Sequence, residues 1–349
     1  MKKIKNSICK RTMMNIKDLY GFFLKEERDF YLYYKNEGQQ VPDVNILDVD
    51  SCYSFIQEYI QSSKKERTLL YSGIEYLKEK DKDRLRHIVS TFLLGLIFFK
   101  NCKDCHKAVI DELKRFGIFE SKEDREIERH FVFMWFMISI FHDLGYRYEK
   151  EGKDLEEYRL SKNKGAVPSL YNHLYRKYYI NYRNSKDHGV SAGVLFDESI
   201  PLIRRERYSE DPNGWDDKLD EVYHYVAWII ACHNIWFIRT EDGEKIQEYR
   251  QKGLSKLILS TEKENGHYKE YPISFQKYPL FTLFCLVDTI EPIKSTSAFS
   301  EIDIQIENEK IIISSNDTNY MRRVKGLNDW LLIVENKDNM KVEFSLKCN

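Results

Sequence analysis

Six residues in this chain pair a ligating side chain with an apolar setting: His87, His142, Asp143, His188, His233 and Asp288. His142 and Asp143 are adjacent and close the apolar run Phe131–Phe141. His87 lies near the start of Leu85–Phe99, and His188 opens His188–Phe196. His233 sits within Ile229–Trp236 and Asp288 within Leu286–Ile290. Imidazole and carboxylate groups in apolar sequence need a partner that offsets their desolvation. A divalent cation satisfies both, and this donor set suits Fe, Mn, Co, Ni or Zn, with Mg reachable through the carboxylates. A helix end meeting water, with Gly145 as a left-handed cap, would account for His142-Asp143 taken alone. It does not account for five separate segments that each carry such a group.

The segments that must position these residues read as helices. Leu85–Phe99, His106–Phe116, Ile127–Leu144, His188–Phe196, Leu219–Phe237 and Tyr278–Thr289 have apolar residues that recur at helical spacing or fill the segment. Facing helices are how a bundle builds a metal site. Upstream, Ile16–Glu27 and Ser54–Ser62 are expected helices, separated by the turn-rich stretch Asn36–Pro42. After Pro292 the texture changes. Ile302, Ile304 and Ile306, then Ile311 and Ile313, alternate with polar residues, and Met340–Leu346 repeats the pattern, so strands are expected there. The expected fold is mainly α: a helical lead-in over 1–80, a metal-binding helical bundle over 81–293, and a small C-terminal α+β appendage over 294–349.

Composition narrows the setting. With 349 residues and 42% hydrophobic content the chain can bury a large core. Its formal net charge of -1 creates no field that would draw it to long duplex nucleic acid, and interspersed charges argue for a soluble surface. Seven irregularly spaced cysteines do not form a disulfide framework. The basic start Met1–Lys5 is followed by no apolar signal core, and every apolar run is shorter than the roughly 20 residues a membrane helix needs. A cytoplasmic protein without membrane contact is expected.

The order His87, His142-Asp143, His188, His233, Asp288 resembles the signature of the HD-domain superfamily of metal-dependent phosphohydrolases, in its two-metal form. Local contexts agree: His87-x-x-x-Thr91, His142-Asp143-Leu144-Gly145, His188-x-x-x-Ala192-Gly193-x-Leu195, and Val287-Asp288 between apolar neighbours. The resemblance covers about 82–293. It implies an HD-domain bundle with two divalent ions: His87, His142, Asp143 and Asp288 as ligands of the first, His188 and His233 of the second. Asp143 would bridge the two as the central catalytic residue. The subfamily stays unassigned, because no Gly-Tyr-Pro motif, alarmone-type Glu-Asp pair or His-rich extension accompanies the set.

The implied activity is hydrolysis of a nucleotide, cyclic nucleotide or oligonucleotide phosphoester through a metal-bridging hydroxide. The substrate would be a small molecule or a short strand. The same ligands also serve di-iron oxygenases of this superfamily, and a regulatory or interaction protein can retain the fold. Arg147, just past the His-Asp pair, and Lys186, before Asp187-His188, are candidate substrate contacts, as are Arg84 and Arg86, which open the first ligand helix. Tyr171, Tyr175, Tyr178 and Tyr182, interleaved with basic residues, form either a lid over the site or an ordinary tyrosine-faced helix.

Other histidines fall away. His224 lies nine positions before His233, about half a turn round a helix, and His130 lies about 120° off the face of His142, at best behind a ligand. The run Cys102-Lys103-Asp104-Cys105-His106 matches a haem-attachment pattern but has neither an export signal nor a second cysteine pair beside it.

Overall fold

A computed structural model describes residues 13–32, 42–60, 68–147, 188–197, 218–233, 260–264, 267–271, 275–294, 299–327, 334–337 and 340–346. It is mainly helical. Helices α1 (Ile16–Glu26), α2 (Arg28–Tyr31), α3 (Val49–Ile60) and α4 (Thr68–Lys80) come first. Then follow α5 (Lys82–Asn101), α6 (Lys103–Leu113) and α7 (Asp124–Phe141). Residues 188–197 form a helix, α8. Helices α9 (Leu219–Cys232) and α10 (Pro279–Ile290) complete the bundle, and α11 (Thr318–Gly326) lies near the C-terminus.

The central helix is α5. Asp81 caps its N-terminus by accepting from the Arg84 N–H, and from His87 to Phe99 every residue is buried. A helix apolar on all sides is stable only when surrounded. It packs against α3, α4, α6, α7 and α10. Gly95 makes the α5–α7 contact close: a Cβ there would lie 1.8 Å from the Trp135 ring, whose Nε1–H donates to the Phe92 carbonyl. Helix α7 is likewise buried from Phe131 to Phe141, so the apolar run seen in sequence is a core helix.

The C-terminal appendage is a small antiparallel sheet. Strands β1 (Met14–Asn15), β4 (Ile302–Ile306), β5 (Lys310–Ser315), β7 (Lys341–Ser345) and β6 (Val334–Lys337) lie in that order. Ile304 faces Ile313 and Ile306 faces Ile311, the alternation expected of a one-sided sheet. The edge strand β1 comes from the chain's N-terminal end, which local sequence does not announce. A separate hairpin, β2 (Ser260–Glu264) with β3 (His267–Tyr271), lies in polar sequence that carries no apolar alternation. Helix α4 falls within the expected helical lead-in; its Gly73 meets Leu144, so it lies over the turn that follows the His-Asp pair.

Candidate metal centre

The six sequence candidates converge. Each is buried: His87, His142, Asp143, His233 and Asp288 expose 1% or less, and His188 exposes 8%. His142 and His233 occupy equivalent positions. Each is the C-cap residue of an apolar helix, α7 or α9. Each uses Nδ1 to meet a carbonyl three residues back: His142 to Ser139 at 2.8 Å and His233 to Ile230 at 2.6 Å. The last carbonyls of a helix lack intrahelical donors. A carbonyl only accepts, so Nδ1 carries the hydrogen in both rings and Nε2 turns a lone pair inward.

His87 is oriented from behind by a carboxylate, with Nδ1 2.5 Å from Glu291 Oε2. Its Nε2 lies 3.3 Å from His142 Nε2 and 3.0 Å from Asp288 Oδ1. His142 Nε2 is 3.2 Å from both Asp143 Oδ1 and Asp288 Oδ1. His188 Nε2 is 3.6 Å from Asp143 Oδ1, and its ring stacks 3.6 Å from that of Tyr146. Among the described residues two sets of potential ligand atoms lie within 4.8 Å of one another: His87, His142 and Asp288, and His142, Asp143 and His233.

Lone pairs therefore face lone pairs. Asp143 Oδ1, Asp288 Oδ2 and His233 Nε2 are buried and have no hydrogen-bond partner among the described residues. An unmet buried acceptor costs about 1–3 kcal/mol, more when charged. Burial keeps the His142 and His233 rings neutral, pushing both below the usual histidine range. Burial raises the Asp143 carboxyl, but the surrounding positive charge, that of the Lys294 ammonium and the Arg84 guanidinium included, outweighs it and holds the group ionised, well below its ordinary value. Asp288 behaves alike, with the Lys294 ammonium foremost in outweighing its burial. Among the described residues, three carboxylates, Asp143, Asp288 and Glu291, thus share the centre with two side-chain cations, Arg84 and Lys294. The residues fit a divalent cation: it would meet the orphaned acceptors and the surplus charge together.

Two glycines bring the elements this close. Gly145 is not left-handed and His142-Asp143 is buried, so the alternative of a helix end meeting water, with Gly145 as its cap, does not hold. A Cβ on Gly145 would lie 1.8 Å from the His188 carbonyl oxygen. The residue is small because the turn after the His-Asp pair presses on the start of α8. A Cβ on Gly193 would lie 2.5 Å from Ala231 Cβ, so α8 and α9 pack at small residues near their histidines.

Sequence reasoning placed substrate contacts at Arg147 and Lys186. The Arg147 guanidinium lies 5.9 Å from the centre of the Tyr76 ring. Lys186 and the tyrosine stripe 171–182 lie outside the described residues. Arg84 is the arginine that reaches the cluster: Nη1 donates to Asp143 Oδ2 at 2.8 Å while the guanidinium covers Tyr146, 3.2 Å from the ring centre. Glu291 and Lys294 were missed. One signal was available: Glu291 stands three residues after Asp288 at a helix C-terminus, where the helix dipole disfavours an acid. The haem-like motif has ordinary roles, with Cys102 Sγ near the Asn308 carbonyl and His106 Nε2 2.8 Å from Glu128. His224 pairs with Asp197, and His130 packs on Phe119 with burial pushing its pKa down to about 4.

No protein-family model, curated protein or solved structure matches the chain. Fold and site together define a mainly α protein with a buried His/Asp cluster that can hold a metal ion. Among the described residues no single helix is long and apolar enough to cross a membrane.

Proposed function

We propose that this chain is a metal-dependent phosphohydrolase of the HD-domain kind, acting on a nucleotide, cyclic nucleotide or oligonucleotide phosphoester. One observation carries the reading. The residues in the order His, His-Asp, His, His, Asp lie together at a buried point where three acceptors, Asp143 Oδ1, Asp288 Oδ2 and His233 Nε2, have no donor among the described residues. His87, His142, Asp143 and Asp288 would hold one ion, and His188 and His233 a second, with Asp143 shared. Divalent ions there supply charge that polarises a phosphoryl oxygen and makes a water more acidic.

The chain's own groups do the rest. Asp143 turns Oδ1 toward His142 and His188, and Oδ2 toward His87, 3.8 Å away, which supports a shared role. The Ser139 and Ile230 carbonyls and the Glu291 carboxylate fix three rings with Nε2 available as a ligand. Arg84, one-fifth exposed and pinned by Tyr146 and Asp143, would orient an anionic substrate from the edge of the site. Arg147 and Lys186 remain candidates for the more distant parts of the substrate.

Elemental analysis of the purified chain, beside Asp143→Ala, with bis-(p-nitrophenyl) phosphate hydrolysis on both, tests the proposal. Two metals per chain and hydrolysis, both lost in the variant, are expected. Two irons without hydrolysis would redirect the reading to oxygenase chemistry. Bound metal without any turnover would favour a regulatory role. No bound metal after reconstitution with manganese or iron would overturn it.

A further inference from the structure

Among the described residues the cation nearest the centre is Lys294, and nothing in the proposed ligand set uses it. Its Nζ donates to Asp288 Oδ1 at 2.5 Å. The Asp288 side chain is 1% exposed, whereas that of Lys294 is 20% exposed, so the lysine runs from the buried carboxylate out to solvent. Local sequence explains its position. Pro292 disfavours helical backbone at the residue before it, and Glu291 is extended, with ψ 127°. The helix ends there, and the 3-10 turn Pro292–Lys294 folds back toward Asp288.

That turn is held by one carboxylate. Glu291 Oε1 accepts from the Ile293 N–H at 2.9 Å, and Oε2 lies 3.3 Å from the Lys294 N–H. Oε2 also meets His87 Nδ1. A single buried acid therefore sets both a ligand imidazole and the backbone from which the lysine springs. The ammonium is then aimed at the centre by construction rather than by a chance surface pairing.

We propose that Lys294 is a substrate-binding residue that contacts the phosphoryl oxygens, exchanging Asp288 for the anion once a cation neutralises that carboxylate. The inference rests on the metal-centre reading above. The flexible four-carbon stem permits the exchange, and an ammonium binds a phosphoryl group as a point charge without fixed geometry. Arg84 is less free, being stacked on Tyr146 and bonded to Asp143. The ligand class is a tetrahedral phosphorus oxyanion, and inorganic phosphate is its simplest probe.

The test compares the parent chain with Lys294→Met and Lys294→Arg, all loaded with manganese. Metal content is measured by elemental analysis and phosphate binding by calorimetry, with melting curves to establish folding. Full metal content in all three is expected. Phosphate affinity should fall at least tenfold in Lys294→Met and stay within about threefold in Lys294→Arg. Unchanged phosphate affinity in a metal-loaded Lys294→Met would overturn the proposal, leaving the lysine as a counter-ion of Asp288. Metal loss in both variants would overturn it too, by making Lys294 an organiser of the ligands. A parent chain that binds no manganese would instead refute the metal-centre reading itself.

Discussion

At the scale of single residues, burial and hydrogen bonding divide the ionisable groups into a site and a scaffold. The site holds the neutral imidazoles of His142 and His233 against the ionised carboxylates of Asp143 and Asp288. The scaffold has its own buried acid, Glu112 on α6. Its carboxylate accepts from the Tyr225 hydroxyl on α9 at 2.5 Å and from the Leu280 N–H at 2.8 Å. It thereby supplies the cap that α10 lacks locally and ties α6, α9 and α10 together. Burial pushes Glu112 from 4.5 up to about 7, with Tyr225 and the Leu280 N–H opposing the rise. The sign follows: between those values the folded chain keeps a proton that the unfolded chain has lost. Its stabilising contribution is full below pH 4.5 and disappears as pH rises through about 7. The interval is worth roughly 3 kcal/mol. Glu112→Gln should gain stability relative to the parent by up to about that amount between pH 4.5 and 8. Denaturant unfolding across that range checks it, and a pH-independent difference would refute it.

At the scale of elements, two apolar helices end in histidine, and one turn must touch the start of another helix. Gly145 is the joint between the His142-Asp143 turn and α8. Alanine there puts a Cβ against backbone, which cannot move aside as a side-chain tip can. Gly145→Ala should displace His188, lower stability by about 1–3 kcal/mol as overpacking does, and, under the proposed two-ion reading, reduce metal content from two ions to one. Elemental analysis and urea unfolding check this; an unaltered variant would mean that the close approach is unimportant. In sequence the His-Asp pair was conspicuous and Gly145 looked like a cap. A cap and a contact glycine are the same letter, and only the packing of α8 tells them apart.

At the scale of the whole molecule, the C-terminal unit is joined to the site. On α11 the Tyr320 hydroxyl donates to the Ile290 carbonyl at 2.7 Å, and Arg323 donates to the Glu291 carbonyl at 3.1 Å. These are carbonyls at the end of α10, the helix that carries Asp288 and leads into Lys294. The β4–β5 turn reaches α6, where the Asn308 carbonyl accepts from the Asp104 N–H at 2.9 Å. Tyr320→Phe leaves the buried Ile290 carbonyl without this donor and should cost about 1–3 kcal/mol. It should also weaken metal binding by loosening the end of α10. Denaturant unfolding and manganese calorimetry on the variant check both effects, and unchanged metal affinity would show that the sheet and the site are uncoupled.

The ligating residue types and the helices that carry them were legible before any folding, because apolar periodicity and isolated polar groups within it are local properties of the chain. The sequence also marked the isoleucine strands of the appendage, for the same reason. Tertiary structure alone decided the rest. Glu291 behind His87, Arg84 on Asp143 and Lys294 on Asp288 are charged residues at helix ends, where sequence expects solvated side chains. They become part of the centre only because α5, α7 and α10 meet there. The pairing of Met14–Asn15 with Ile302–Ile306 depends likewise on a contact between distant parts of the chain, which no local pattern encodes.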